Sequence, residues 1–285
     1  MTFFKLYKSV VSLTLTAGLM LATPGHAQYT SDIDIYGSPS SSTDLPNVLF
    51  ILDNSANWNA SSGQPNCYYK ENGAITTTGP SQQGKKSSIE QCALYNVIDA
   101  LPTGTGGVAL FNIGFLAFNS VNVDAGARPI KAFTPLNATG KAAIKALIKG
   151  LDDIQTPAPT SFALAMHEAY LYYAGAAPFS GQRAGTPAFD SMAFSGGRYA
   201  SPSTANCGRN YVIIIANGPP QSDKASDAEV MAMLRALNSN INVPPITYTT
   251  GYVDSKDSDN WTDEYARFML GRDVSSQTGT QNIVT

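Results

Sequence analysis

Short apolar runs, each cut off sharply by a polar loop, set the rhythm of this chain. Residues 48–52, Val-Leu-Phe-Ile-Leu, are five apolar residues in succession. That is too short for a membrane span and too continuous for a half-exposed strand, so it predicts a strand buried on both faces. Residues 108–118 and 211–215 repeat the pattern, the latter as the clearest buried strand, and 129–133 fit a shorter edge strand. Between these runs the spacing turns helical. Ile89, Cys92, Ala93, Val97 and Leu101 recur behind Ser87-Ser88-Ile89-Glu90, a capping box, and stop at Pro102. Residues 139–151 set Ile144, Leu147 and Leu151 on one side and Lys141, Lys145 and Lys149 on a solvated face. Further helices are predicted over 162–174, from the capping box Ser226-Asp227-Ala228-Glu229 to Leu237, and over 261–270. Residues 244–253 read either as strand or as loop, and 282–285 look like the opening of another strand. This order predicts an α/β fold with a mostly parallel sheet and helices on both faces.

The polar stretches carry the candidate chemistry. The run 48–52 stops at Asp53-Asn54-Ser55-Ala56-Asn57, a set of hard oxygen ligands. Ligands of open α/β sheets bind at the carboxyl ends of strands. Asp53, Ser55 and Asn57 alternate, so one tight loop can turn all three into a crevice and offer oxygen to Mg²⁺, Mn²⁺ or Ca²⁺. An Asx-rich turn explains the same residues without a metal, and the two readings stand level. Gly104-Thr105-Gly106-Gly107 lacks the Lys-Ser/Thr of a phosphate loop and reads as a turn. His167 falls inside a helix, where packing or solvation is its expected role. Two long polar segments, 58–86 and 175–208, have no periodicity of their own.

Composition and charge narrow the function. A net charge of −3 and a low charged fraction of 14% argue against a nucleic-acid partner. Residues 1–27 read as a secretory signal peptide: Lys5 and Lys8, an apolar stretch, then Gly25-His26-Ala27 as a cleavage site. The apolar stretch falls short of the ~20 residues of a span, so the mature chain is expected to be exported without a transmembrane segment. Residues 28–45 read as a linker. Export permits disulfides. Cys67, Cys92 and Cys207 allow three pairings; Cys67–Cys92 closes the shortest ring and is favoured, with Cys207 left over. There is no Gly-x-Ser-x-Gly elbow and no His-Glu-x-x-His helix, so an enzyme is not expected and a secreted hydrolase is the weakest alternative.

The stretch from Pro46 to Asn57 resembles the first strand and metal loop of a von Willebrand factor type A domain, Asp-x-Ser-x-Ser, with Asn57 in place of the last serine. The wording Asn-Val-Leu-Phe-Ile-Leu-Asp-Asn-Ser behind a signal peptide resembles the PilC/PilY family of type IV pilus tip and biogenesis proteins. The resemblance implies a Rossmann-like A domain over residues 46–285, with its last strand broken off at the chain end as in a fragment of a longer protein. It implies a second metal loop at Thr160 (Thr156 as the fallback) and a third at Asn217, where the family keeps aspartate. The implied ligand set is thus Asp53, Ser55, Asn57, Thr160 and Asn217, holding at most one weakly bound Mg²⁺, Mn²⁺ or Ca²⁺. The implied partners are pilus components or a host surface ligand, met in the periplasm, at the cell surface or at a pilus tip. A metal-free exported binding protein is the alternative.

Overall fold

A computed structural model describes residues 45–54, 57–119, 126–151, 162–182, 188–204, 206, 208–216 and 262–285. The signal peptide, the linker up to residue 44, the helix over 226–237, the ambiguous 244–253 segment and Cys207 lie outside them. At the centre is a five-stranded sheet in the order β5-β4-β1-β8-β9. Strand β1 is Asn47–Leu52, β4 Asn112–Phe118, β5 Ala127–Pro135, β8 Asn210–Ile215 and β9 Ile283–Val284. β1 runs parallel to both β4 and β8, β9 parallel to β8, and only the edge strand β5 is antiparallel. The small hairpins β2 (Lys70–Glu71) with β3 (Ala74–Ile75), and β6 (Phe194–Ser195) with β7 (Arg198–Tyr199), lie in the two long polar segments. Those segments were expected to be irregular throughout. Each instead carries a tight hairpin fastened to the helices beside it.

Alternation within the buried strands sorts side chains to two faces. Leu49, Ile51, Leu116 and Phe118 join one core with α3 (Phe162–Tyr173) and α4 (Thr262–Gly271). Helix α3 is buried along its whole length, as an all-round apolar helix must be. On the opposite face Phe50 stacks on Phe115 with ring centroids 5.1 Å apart. Helices α1 (Lys86–Ala100) and α2 (Ala138–Lys149) bury Cys92, Leu94, Ile98, Ile144 and Ile148. β8 departs from its prediction. Ile213 is 44% exposed and Tyr211 and Ile215 are only partly covered, so one face of this strand is open among the described residues.

Three asparagines lie side by side across the amino ends of the parallel strands. Asn112 Nδ2 donates to Asn47 Oδ1 and Asn47 Nδ2 to Asn210 Oδ1, both at 2.9 Å. Asn47 pairs in register with both partners. Tyr173, from α3, donates its hydroxyl to the Asn47 and Tyr211 carbonyls at 3.1 and 2.7 Å.

Polar contacts fix the helix starts and the first insertion. Asn137 caps α2 by accepting from Gly140 N–H at 2.9 Å. α1 begins at Lys86, and Ser88 Oγ accepts the Lys85 N–H at 3.2 Å, so Ser88 takes the reciprocal capping role expected of Glu90. Cys67–Cys92 is a disulfide. Of the lysines of α2, Lys149 is exposed as expected, but Lys141 and Lys145 are not on a solvated face. Lys141 donates to the carbonyl of Leu101 at 2.8 Å, closing the end of α1. Lys145, 14% exposed, bridges Glu71 and Asp99 at 2.5 and 2.6 Å. Tyr95 donates its hydroxyl to Glu71. Burial works against the Asp99 carboxylate, but Lys145 and the Gly73 and Asn72 N–H groups outweigh it and hold the group below its ordinary range. The β2–β3 hairpin is therefore held to α1 and α2 by one covalent bond and an ion network.

Candidate functional site

The strand order puts the switch point, where open α/β sheets bind their ligands, at the carboxyl ends of β1 and β8, where the chain's progress across the sheet reverses direction. β1 delivers Asp53 and Asn54 to that edge, 3% and 0% exposed. Backbone bonds to both neighbouring strands hold them there. Asp53 N–H donates to the Ile215 carbonyl at 2.9 Å, closing the end of β8. Asn54 Oδ1 accepts the Phe118 N–H at 2.8 Å, closing the end of β4. From β5, Arg128 Nη1 donates to the Phe118 carbonyl at 2.6 Å and Nε to the Ala188 carbonyl at 3.1 Å. Burial pulls the Arg128 guanidinium down to about 10. The rim thus combines a buried carboxylate with a buried amide and a buried cation, the last two bonded to backbone through their side chains.

The loop after Asp53 turns down onto α1. Trp58 is 1% exposed, and its carbonyl accepts the Ser87 N–H at 2.8 Å. The Ala60 carbonyl accepts from Lys86 at 3.0 Å, and Ser87 Oγ donates to Asn59 Oδ1 at 3.1 Å. One turn further along α1 stands Glu90. Its Oε2 is buried and has no hydrogen-bond partner among the described residues. Burial, and then the nearby Asp53 carboxylate, push its pKa up to about 8 despite Lys86.

A second buried carboxylate supports the same edge from the other face. Glu168 on α3 accepts N–H bonds from Phe179, Ser180 and Gly181 at 3.2, 2.9 and 3.1 Å, and hydroxyl bonds from Ser180 and Tyr199. Burial still raises its pKa. The segment it secures is tied to the sheet as Asn119 Nδ2 donates to the Ser180 carbonyl and Ser180 Oγ to that of Ala127, at 3.1 and 2.9 Å. Its neighbour His167 is packed against Tyr265, whose hydroxyl lies 3.3 Å from Nδ1.

Of the predicted ligands, Asp53 stands where the sequence places it. Asn57 lies on an exposed turn beyond it. Ser55, Thr160 and Asn217 lie outside the described residues, as does Thr156. Among the described residues no three His, Cys, Asp or Glu side chains gather as a metal cluster. Sequence reasoning missed Asn54, Arg128, Glu168 and the turn of Glu90 toward Asp53. Asn54 was legible as the amide inside the motif. Glu90 was hidden behind its second role as a capping residue. Comparison with protein-family models, with curated proteins and with solved structures finds no match for this chain.

Proposed function

We propose that this chain is an exported, type IV pilus-associated adhesion or assembly protein of the PilC/PilY kind, and that its fold is a von Willebrand factor A-like, Rossmann-type domain. The domain binds a protein or surface ligand at the carboxyl edge of its sheet. The observation that carries the reading is Asp53, buried at the end of the central strand beside the point where strand order reverses. The order third, second, first, fourth, fifth, with an antiparallel edge strand, supports the A-domain resemblance of residues 46–57.

The residues fit a hard cation. Asp53 has a second carboxylate, Glu90, within electrostatic reach, with a buried oxygen that no donor among the described residues satisfies. Paired carboxylate oxygens suit Mg²⁺, Mn²⁺ or Ca²⁺. Asp53, with Ser55, Asn57, Thr160 and Asn217 from their loops, would hold one such ion weakly. The bound ion supplies attraction for a ligand oxygen; the protein supplies a fixed edge, since Asn54 and Arg128 lock the peptides around Phe118. Among the described residues no helix is long and apolar enough to cross a membrane.

The test is binding of the purified mature chain to isolated type IV pili and to epithelial surfaces, with Mg²⁺ and with chelator. Saturable binding that Asp53→Ala removes supports the proposal. Binding that survives both chelator and Asp53→Ala points to the metal-free surface instead, and failure to bind either target refutes the adhesion role.

A further inference from the structure

The turn of the β2–β3 hairpin is built from Asn72 and Gly73, with Glu71 paired to Ala74 across it. Both central residues have positive φ, 52° and 81°, as a type I′ turn requires. Asparagine followed by glycine is the pair this turn prefers. It is also the pair most open to self-cleavage of the side-chain amide, because glycine leaves the following nitrogen unshielded. Both residues are exposed to solvent.

One feature of the fold opposes that chemistry. Gly73 N–H, whose nitrogen is the nucleophile, donates to Asp99 Oδ2 at 2.9 Å, and Asn72 N–H donates to Oδ1 at 3.2 Å. Asp99 is itself buried and held by Lys145. A carboxylate on the amide proton disfavours the amide anion that must form.

We infer that Asn72 is a deamidation site held in check by Asp99, and that its conversion releases the hairpin from α1 and α2. The reaction needs only water. Gly73 nitrogen loses its proton and bonds to the Asn72 side-chain carbonyl carbon. The carbon–nitrogen bond of the side-chain amide breaks, ammonia leaves, and a cyclic succinimide remains. Water opens the ring at either carbonyl, leaving aspartate or its isoaspartyl isomer at position 72. No oxidant or reductant takes part. Either product sets a third carboxylate beside Glu71 and Asp99, and the isoaspartyl form reroutes the main chain through the side chain, which the two-residue turn cannot accommodate. The disulfide keeps the loosened segment attached.

The experiment follows conversion at Asn72 in the intact chain in mildly alkaline buffer, by peptide mapping with isoaspartate detection. A free peptide of residues 68–78 is the reference, and Asn217–Gly218, the other Asn-Gly pair, is scored separately. Conversion in the protein should be slower than in the peptide by about tenfold or more, the factor one charge-assisted hydrogen bond supplies. Asp99→Asn should bring the rate back toward the peptide's. Hydrogen exchange at Gly73 reads the same bond without a variant and should show protection. As conversion accumulates, proteolysis within residues 68–78 should rise. Equal rates in protein and peptide, an unprotected Gly73 amide, slower conversion in Asp99→Asn, or unchanged proteolysis of the converted chain would each overturn the inference.

Discussion

Replacing Glu90 by glutamine should stabilise this protein, and more so as pH rises. Glu90 is lifted from an ordinary 4.5 to about 8, by burial first and by Asp53 second. The folded chain therefore keeps a proton that the unfolded chain releases. Between those values the folded state binds more protons, so stability falls with rising pH. The contribution is intact below about pH 4.5 and fully lost once pH passes through about 8. At about 1.4 kcal/mol per pH unit, the upper bound is about 5 kcal/mol. Glu90 is not fully enclosed, and solvent screening reduces the figure to about 2–3 kcal/mol. Glutamine keeps the shape and never ionises. Urea melts of both proteins across pH 5–9, roughly the range that brackets the transition, measure the effect. The wild-type midpoint should decline through this window while that of Glu90→Gln stays level by comparison. Mg²⁺ or Ca²⁺ should stabilise the wild type at high pH more than the variant, which lacks the second carboxylate, since a ligand of the folded state alone stabilises it. Parallel curves for the two proteins would refute the reasoning: Glu90 would then be solvated and apart from Asp53.

The remaining predictions concern other buried groups and the ligand loops. His167 is depressed to about 4 by burial, so its contribution is present above about pH 6.5 and lost as pH falls toward 4; His167→Gln should flatten that acid limb in melting curves. Converting Cys67 and Cys92 to alanine should cost about 3 kcal/mol in denaturant melts, because the bond closes a sequence separation of 25 residues. The double variant Asn57→Ser, Asn217→Asp should bind Mg²⁺ or Mn²⁺ more tightly by calorimetry and melt higher with metal, because an added carboxylate is the main attraction. Asp53→Ala in that background should erase both gains, and a correctly folded double variant without them would separate these residues from a common site.

The buried strands were legible because continuous apolar runs have few other uses. β4, β9 and α3 fall within their predicted segments, and β1, β8 and α2 match theirs but begin one residue earlier. Asp53 was legible for the same reason, as the first polar residue after such a run. The rest depended on partners far away in sequence. Lys145 has the spacing of a solvated residue, and only the arrival of Glu71 and Asp99 from the first insertion turns it inward. Glu90 has the spacing of a cap, which Ser88 supplies instead. The hairpins were overlooked because strands of two residues leave no periodicity. Ile213 shows the converse: a run of isoleucines announces burial on both faces, yet among the described residues one face of β8 is open. The disulfide was legible as the favoured of three pairings, because Cys67–Cys92 closes the shortest ring, and the fold sets those two cysteines side by side.

The asparagine row at the amino ends of β1, β4 and β8 works as a vernier for the opposite end of the sheet. Parallel strands can slide along one another, and a shift of one residue moves a strand by ~3.3 Å and exchanges its two faces. Apolar runs such as Val48–Leu52 resist that only weakly, since neighbouring aliphatic side chains are interchangeable. A buried amide has no such tolerance: a slipped Asn47 would face hydrocarbon and strand the partners that Asn112 and Asn210 provide. Six residues of strand, ~20 Å, separate this row from Asp53. The alignment of Asp53 with Phe118 and Ile215 is thus set at a distance, by residues that touch no ligand. Asn47→Leu should therefore blur the geometry at the carboxyl edge while leaving every residue of that edge in place.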